Sequence, residues 1–296
     1  MKVGVVFPQT EIGNDPVRIR DYARGAEDAG FDHIVAYDHV LGHRPYDPVA
    51  WARLGPYTDA HPFHEIFVLF SHLAAITSRI EFATEVLVLP QRQTVLVAKQ
   101  AAELDLLSGG RLRLGIGVGW NPEEFRALGT SFHDRGKRVE EQVAIIRRLW
   151  GDELTTVDGQ FHTITAGAIN PRPRRPIPIW IGGHTPVALK RAATIGDGLM
   201  LEHSLEEAPE VIASIRDQLV ENGRDPRRFG FAARIDLPKD GVDGAIKKAA
   251  AWAAVGVTHL SVNTMDQGIK DPDEHITLSR AFIVAWRSAT QVGVRP

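Results

Sequence analysis

The fold of this chain is best read outward from residues 111–125, which run RLRLGIGVGWNPEEF. The first eight residues alternate and then become apolar, which is typical of a strand in a sheet or barrel. Glycines at positions 115, 117 and 119 leave bare backbone that a flat ligand can approach closely. Asn121, Pro122 and Glu124 then have the pattern of a capped helix start. A strand that runs through glycines into a helix is where α/β proteins place ligands.

Length and composition limit the possible classes of protein. The 296 residues allow two domains or one large α/β barrel, and 44% hydrophobic with 24% charged residues is ordinary for a globular protein. A net charge of −3 without a basic run gives no basis for nucleic-acid binding. The chain has no cysteine, so disulfides and thiolate metal sites are excluded. Without a signal peptide or a long apolar run, we expect a cytoplasmic protein with no membrane contact.

Eight strands are predicted, each nearly always followed by a helix. They lie at residues 3–7, 33–37, 80–89, 111–118, 177–181, 197–201, 229–235 and 258–262. This alternation and this count predict an α/β fold, a (β/α)8 TIM barrel that forms a single domain over residues 1–296. We expect a long loop after strand two, at 40–64, and a small inserted hairpin at 155–164 after helix 4. A Rossmann fold is disfavoured, because the glycines are spaced G-x-G-x-G and come at strand four.

Two short motifs at predicted strand ends have both a functional and a structural interpretation. Gly182, Gly183, His184 and Thr185 precede a helix, so they form either an anion site or a tight turn with an ordinary cap, with about even weight. Asp38 and His39 could act as an acid/base pair. Adjacent strand residues point to opposite faces, however, so the two side chains should not meet unless the strand has already ended.

The remaining candidates have simpler interpretations. Glu123 and Glu124 lie in the first turn of a helix, where acidic residues are expected because of the helix dipole. Trp120, next to the glycines, is expected to form the wall of a pocket. The histidine pairs 39/43 and 61/64 match no metal-binding pattern, so no metal site is predicted.

Several segments together resemble the bacterial luciferase-like flavin and deazaflavin oxidoreductases. They are YDHV (37–40), TEVLVLP (84–90), AKQAAELDLLSGGRLRLGIGVGWNPEEF (98–125), RGKRVE (135–140), IWIGG (179–183) and GDG (196–198). The resemblance covers most of the chain. Within that superfamily the sequence is most similar to the branch that uses coenzyme F420.

The resemblance implies where a cofactor would bind. Coenzyme F420, or FMN as the alternative, would place its ring at the carboxyl ends of the strands and its phosphate at residues 182–185. A non-proline cis peptide would lie in a bulge at Glu85-Val86 and press on the ring. Asp38 would border the ring or its side chain, Gly117 and Gly119 would admit it, and Trp120 would lie beside it.

The resemblance also implies a reaction. His39 matches the histidine beside the reactive ring carbon in deazaflavin-dependent sugar-phosphate and alcohol dehydrogenases of the family. Those enzymes have a glutamate at the end of strand four, where this chain has Trp120. We therefore expect hydride transfer from reduced F420 to an activated C=C or imine, with His39 as catalytic residue. Tyr46, Trp51 and Glu124 are expected to face the substrate.

Other functions were weighed against this one. They are an FMN-dependent two-component monooxygenase, a flavin- or deazaflavin-binding barrel without catalysis and, last, a metal-dependent hydrolase. The family resemblance further implies a small-molecule substrate, a homodimer and, for some members, a separate enzyme that reduces the cofactor.

Overall fold

The computed structural model describes residues 1–47, 55, 57–269 and 271–291. Eight parallel strands within this part of the chain close into a barrel. The barrel closes where its third and fourth strands pair, with Ala83 opposite Arg113. The barrel strands are β1 (Lys2–Val6), β2 (His33–Ala36), β3 (Glu81–Thr84) with its extension β4 (Leu87–Val88), β5 (Leu112–Gly117), β8 (Ile179–Gly182), β9 (Gly198–Met200), β10 (Gly230–Asp236) and β11 (His259–Asn263).

Helices surround this barrel. In the described residues they are α1 (Pro16–Ala29), α2 (Ile66–Ala75), α3 (Thr94–Leu107), α4 (Pro122–Ala127), α5 (Arg135–Gly151), α6 (Pro186–Ile195), α7 (Ala208–Glu221), α8 (Leu237–Ala254) and α9 (Pro272–Gln291). The strands β6 (Thr155–Asp158) and β7 (Thr163–Gly167) form the antiparallel hairpin predicted between α5 and β8. The predicted TIM barrel is therefore confirmed. None of the helices described combines the length and the apolar composition needed to cross a bilayer.

Local sequence explains where the helices begin. Asp15 accepts a hydrogen bond from the backbone N–H of Val17, and Thr185 accepts one from that of Ala188, so both cap their helices. The main core lies between the barrel and the helices, because strand residues such as Leu114 and Ile116 point outward into it. On the inward face of β5 lie Arg113, Gly115 and Gly117, and these residues line the interior of the barrel.

The third strand departs from the continuous run predicted for residues 80–89. Strand β3 ends at Thr84 and pairing with β5 resumes at Leu87, so the two residues between form a bulge. The peptide bond between Glu85 and Val86 in this bulge is cis, which confirms the cis peptide implied by the family resemblance.

Acid should destabilise this fold through His275. The side chain is fully buried, with Nδ1 2.9 Å from Thr264 Oγ1 and Nε2 3.3 Å from Glu11 Oε2. Burial lowers the pKa of His275 from 6.5 to about 4. The folded protein therefore binds fewer protons than the unfolded chain between these values. The stability due to neutral His275 is therefore fully present above the pKa that His275 has in the unfolded chain. It is lost as the pH falls from that value towards the pKa of His275 in the folded protein.

We expect this residue alone to lower the free energy of unfolding by about 2 kcal/mol from about pH 7 to about pH 5. Urea unfolding at several pH values should show the loss in the wild type and a shallower slope in His275→Asn. If wild-type stability instead rises as the pH falls, His275 becomes charged in the folded state and pairs with Glu11.

Candidate active site

A cavity of about 540 Å³ opens at the carboxyl ends of the barrel strands. A second cavity of about 450 Å³ adjoins it and shares Tyr37, Glu85, Val86, Glu202 and Arg234 with it. Both volumes are typical of small-molecule sites, and this end of the barrel is where TIM-barrel enzymes place their chemistry. The larger cavity brings together all ten predicted cofactor residues: Asp38, Glu85, Val86, Gly117, Gly119, Trp120, Gly182, Gly183, His184 and Thr185.

The bulge at Glu85-Val86 explains two of the glycines more directly than a ligand does. A Cβ on Gly117 would lie 2.5 Å from Val86 Cγ2, and one on Gly182 would lie 2.6 Å from Val86 Cγ1. No real Cβ makes such contacts, so both positions require glycine for the Val86 side chain to fit. The glycine backbone lines the cavity, and Val86 forms its floor between β5 and β8.

Asp38 fixes the segment that follows the bulge. Its carboxylate pairs with Arg92 at 2.6 Å and accepts a hydrogen bond from the backbone N–H of Val88 at 3.0 Å. Burial raises the pKa of Asp38, and Arg92 opposes this effect. Arg92 also bridges to Glu65 at the start of α2. Asp38 therefore lines the cavity as part of a framework that positions the bulge.

His39 is paired with Glu124. The imidazole Nδ1 lies 3.1 Å from Glu124 Oε2, and Oε1 of the same carboxylate accepts the backbone N–H groups of Val40 and Leu41. Burial alone would raise the pKa of Glu124, but these hydrogen bonds lower it below its ordinary value. The group is therefore a carboxylate at neutral pH, and His39 donates from Nδ1. Its Nε2 has no hydrogen-bond partner in the described part of the chain.

Aromatic rings surround this histidine. The ring of Phe63 lies 4.9 Å from that of His39, Tyr57 lies 5.2 Å away and Trp120 lies 5.6 Å away, all in edge arrangements. Tyr57 and Trp120 also line the cavity, which agrees with the predicted wall role of Trp120. His39 is thus held on one side by a carboxylate and on others by apolar ring faces and edges, which fixes its orientation.

The other end of the cavity suits an anion. Gly183 and the Thr185 cap lie at the amino end of α6, where backbone N–H groups and the helix dipole favour negative charge. Arg135 and Arg191 line the same part of the cavity. The buried Nε of Arg135 has no hydrogen-bond partner. We call residues 182–185 with Arg135 and Arg191 the anion cradle.

Burial and a missing partner also single out Glu85. Its Oε2 is buried without a hydrogen bond, and burial raises its pKa, against the opposing influence of Arg234 and Arg113. The cavity therefore contains an unsatisfied acceptor or acid at Glu85 and an unsatisfied donor at Arg135. Buried polar groups are rarely left unpaired, so both atoms are suited to hydrogen-bond a ligand in the cavity.

The structure does not place two of the three predicted substrate residues in the cavity, and the third stays a prediction. Glu124 is 1% exposed, does not line the cavity and binds His39, so it supports the site from behind instead of facing a substrate. Its side chain also leaves the predicted capping box half formed, because only Asn121 caps α4. Tyr46 is fully exposed and does not reach the cavity. Trp51 lies outside the described residues.

Sequence reasoning missed several residues of the site. Arg135 stands in the RGKRVE segment, where the family resemblance was noted but no role was assigned. Arg191 had no recognisable signal, because it lies inside α6 and is held by Glu140 at 3.0 Å. His184, in contrast, was placed correctly at the cavity but is exposed and contacts Glu202. No group of three or more acidic or histidine side chains that could hold a metal is found among the residues described.

The fold and this site together define an α/β-barrel protein with an oriented histidine and an anion cradle at the mouth of the barrel. The model of the luciferase-like monooxygenase family matches residues 1–257. The chain belongs to this family.

Several proteins are similar to most of this chain. An uncharacterised protein of Mycobacterium tuberculosis is 35% identical over 208 residues, which cover 68% of this chain and 71% of that protein. The F420-dependent glucose-6-phosphate dehydrogenase of Kineococcus radiotolerans is 29% identical over 251 residues, with 82% and 70% covered. An F420-dependent secondary alcohol dehydrogenase, solved with an F420-acetone adduct, has a TM-score of 0.79 at 18% identity, with 97% and 99% covered. At that identity the solved structure supports the fold alone.

Proposed function

We propose that this protein is an oxidoreductase that uses coenzyme F420 to reduce a small organic substrate at an activated C=C or imine. The observation that carries the proposal is the His39–Glu124 pair, placed in one cavity with an anion cradle. Relatives from Kineococcus radiotolerans and Amycolatopsis mediterranei, both named F420-dependent glucose-6-phosphate dehydrogenases, support the choice of cofactor.

The residues present fit this cofactor, which joins a flat deazaflavin ring to an anionic side chain. The unpaired Nε of Arg135 and the amino end of α6 would hold a phosphate, and Val86 with Glu85 would border the ring. When bound, coenzyme F420 supplies or accepts a hydride at a ring carbon. The barrel orients the reactants and excludes water.

His39 completes the reaction by handling the proton. Reduction of a double bond adds one hydride and one proton to the substrate, and the proton comes from His39 Nε2. Before the proton is transferred, the carboxylate of Glu124 stabilises the protonated imidazole of His39. Afterwards it accepts the hydrogen bond from Nδ1–H and keeps the neutral imidazole in place. Tyr57 and Trp120 give the substrate an apolar wall.

The same pair favours a second candidate, the oxidation of a small alcohol. In that direction His39 Nε2 removes the hydroxyl proton as the hydride leaves the substrate carbon. The sequence disfavoured this reaction because Trp120 replaces the strand-four glutamate of the alcohol dehydrogenases. Glu124, from the first turn of α4, nevertheless brings a carboxylate to within 3.1 Å of His39 Nδ1.

A binding titration tests the proposal first. The apo-protein is titrated with oxidised coenzyme F420 and, in parallel, with FMN, and the change in fluorescence is followed. Saturable binding of F420 alone is expected, and oxidation of reduced F420 by enones or imines would then separate reduction from alcohol oxidation. Preference for FMN, with oxygen uptake by the reduced complex, would favour a two-component monooxygenase. Binding of neither would overturn the proposal, and binding of F420 without turnover would favour a non-catalytic barrel.

Replacing Arg135 with glutamine should weaken F420 binding about 10- to 100-fold, because a charge-assisted hydrogen bond to a phosphate is lost. Arg126→Gln is the matched control, since Arg126 is exposed and pairs with Glu123 outside the cavity. Dissociation constants from the same titration measure the effect. Equal constants for wild type and Arg135→Gln would remove Arg135 from the anion cradle.

The expected partners remain predictions drawn from the family resemblance. We propose a homodimer, which sedimentation of the purified protein would test by its mass. A separate cofactor-reducing enzyme would be needed only if the reduced cofactor is not regenerated by the protein's own second substrate.

A further inference from the structure

The barrel has a second cavity at its opposite end, where the strands begin. Its volume is about 530 Å³, and it is lined by the first residues of β1, β3, β10 and β11 and by the start of β5. The lining is predominantly cationic. It includes Lys2, Arg111, Arg113, Arg175, Arg227 and Arg228, against the acids Glu81 and Asp197.

Most of these charges already have partners. Lys2 lies 2.6 Å from Glu81, Arg227 pairs with Asp225 and Arg175 pairs with Asp105. Arg111 donates to backbone carbonyls such as those of Ile80 and Ala74. These contacts explain why the side chains are present without any ligand.

Arg113 differs from the others. It is 5% exposed, makes no hydrogen bond or ion pair with the described residues, and its Nε is buried and unsatisfied. Burial lowers its pKa to about 10, which leaves the guanidinium charged at neutral pH. A buried charge without a hydrogen-bonded partner is strongly unfavourable, so Arg113 requires an explanation.

Trp180 provides only part of that explanation. The guanidinium carbon of Arg113 lies 4.6 Å from the centre of the Trp180 ring, a cation–π contact. The ring itself is fitted closely, because a Cβ on Gly198 or Gly230 would lie 2.3 Å or 2.2 Å from it. Two strands thus use glycine to admit this indole beneath the arginine. The contact satisfies the face of the guanidinium and leaves its buried Nε–H without a partner among the described residues.

We infer that this end of the barrel is a binding site for a small organic anion, whose carboxylate or phosphate group pairs with Arg113. The apolar part of the ligand would contact Ile177 and Phe229, which line the same cavity and are otherwise buried. Exposed Arg228 stands at the rim and adds to the attraction of an anion into the cavity. The site is separate from the mouth of the barrel and its anion cradle.

Calorimetric titration with benzoate tests this inference, with benzamide as a neutral ligand of the same shape and inorganic phosphate as a second anion. Benzoate or phosphate should bind the wild type at least about tenfold more tightly than benzamide. Benzoate binding without phosphate binding indicates an organic carboxylate as the ligand class, and the reverse indicates a phosphate. If neither anion binds, or if benzamide binds equally well, the inference is wrong.

Two matched variants locate the binding. Arg113→Met should weaken benzoate binding at least about tenfold, whereas Arg135→Gln, at the opposite end of the barrel, should leave benzoate binding unchanged. Phosphate is titrated into Arg135→Gln, so that binding in the anion cradle does not contribute. The opposite pattern would place the anion in the cradle and overturn the inference. If Arg113→Met does not fold, crystals of the wild type soaked in 4-bromobenzoate decide the question. Anomalous bromine signal beside Arg113 supports the site, and signal confined to the other end refutes it.

Discussion

Replacing His39 with alanine should lower turnover about 10²- to 10⁴-fold while affinity for coenzyme F420 stays close to that of the wild type. The histidine lines the cavity, and its Nε2 is the ring nitrogen without a partner among the described residues. Loss of the imidazole therefore removes the group that exchanges the proton with the substrate. The cofactor contacts proposed at the anion cradle are unaffected, because other residues make them.

Stopped-flow measurement of reduced-F420 oxidation with an enone or imine substrate gives the rate. His72→Ala is a suitable control, because His72 is exposed on α2 and lies outside the cavity. The same loss in both variants would indicate damage to folding. A His39→Ala enzyme that turns over at the wild-type rate with normal F420 affinity would exclude His39 as proton donor.

Sequence periodicity predicted the barrel well because its signals are local. A buried parallel strand appears in the sequence as a short apolar run. The helix caps at Asp15, Asn121 and Thr185 accept hydrogen bonds from backbone N–H groups only two or three residues further along the chain. The eight predicted strands correspond to the observed barrel strands, with ends that differ by a few residues.

The site was predicted less completely, because its decisive contacts join distant parts of the chain. His39 and Glu124 are 85 positions apart. His39 follows β2 and Glu124 lies in α4, with two barrel strands between them in the sequence, so no local pattern links the two residues. The interpretation of Glu124 as an ordinary first-turn acid was reasonable for its own helix. It failed because the side chain extends across to the loop after β2.

The glycine pattern was recognised, but its physical cause was only partly understood. Gly117 was expected to admit a flat ring, whereas its missing Cβ makes room for Val86. That contact depends on a bulge in the preceding barrel strand, about 30 residues earlier in the sequence. The family resemblance predicted the bulge, and spacing alone did not.

The second large effect is expected for Glu124→Gln, which should lower turnover about 10²-fold with little change in KM or in F420 affinity. Glutamine has nearly the same shape as glutamate, and its amide oxygen can still accept the backbone N–H groups of Val40 and Leu41. Its NH2 group, however, can only donate towards His39. The imidazole must then accept at Nδ1 and carry its proton on Nε2, and the carboxylate that stabilised the protonated ring is gone.

Glu124 therefore acts as a positioning residue, and its test must separate this role from simple packing. Glu123→Gln is the matched control, because Glu123 is the adjacent residue of the same helix turn and pairs with exposed Arg126. A positioning role lowers kcat alone, since substrate and cofactor contact other residues. A packing role would instead lower the unfolding midpoint and raise KM, because the loop after β2 would lose its attachment to α4. If kcat is unchanged in Glu124→Gln, the carboxylate charge is not needed, and His39 is oriented by the rings of Tyr57, Phe63 and Trp120 alone.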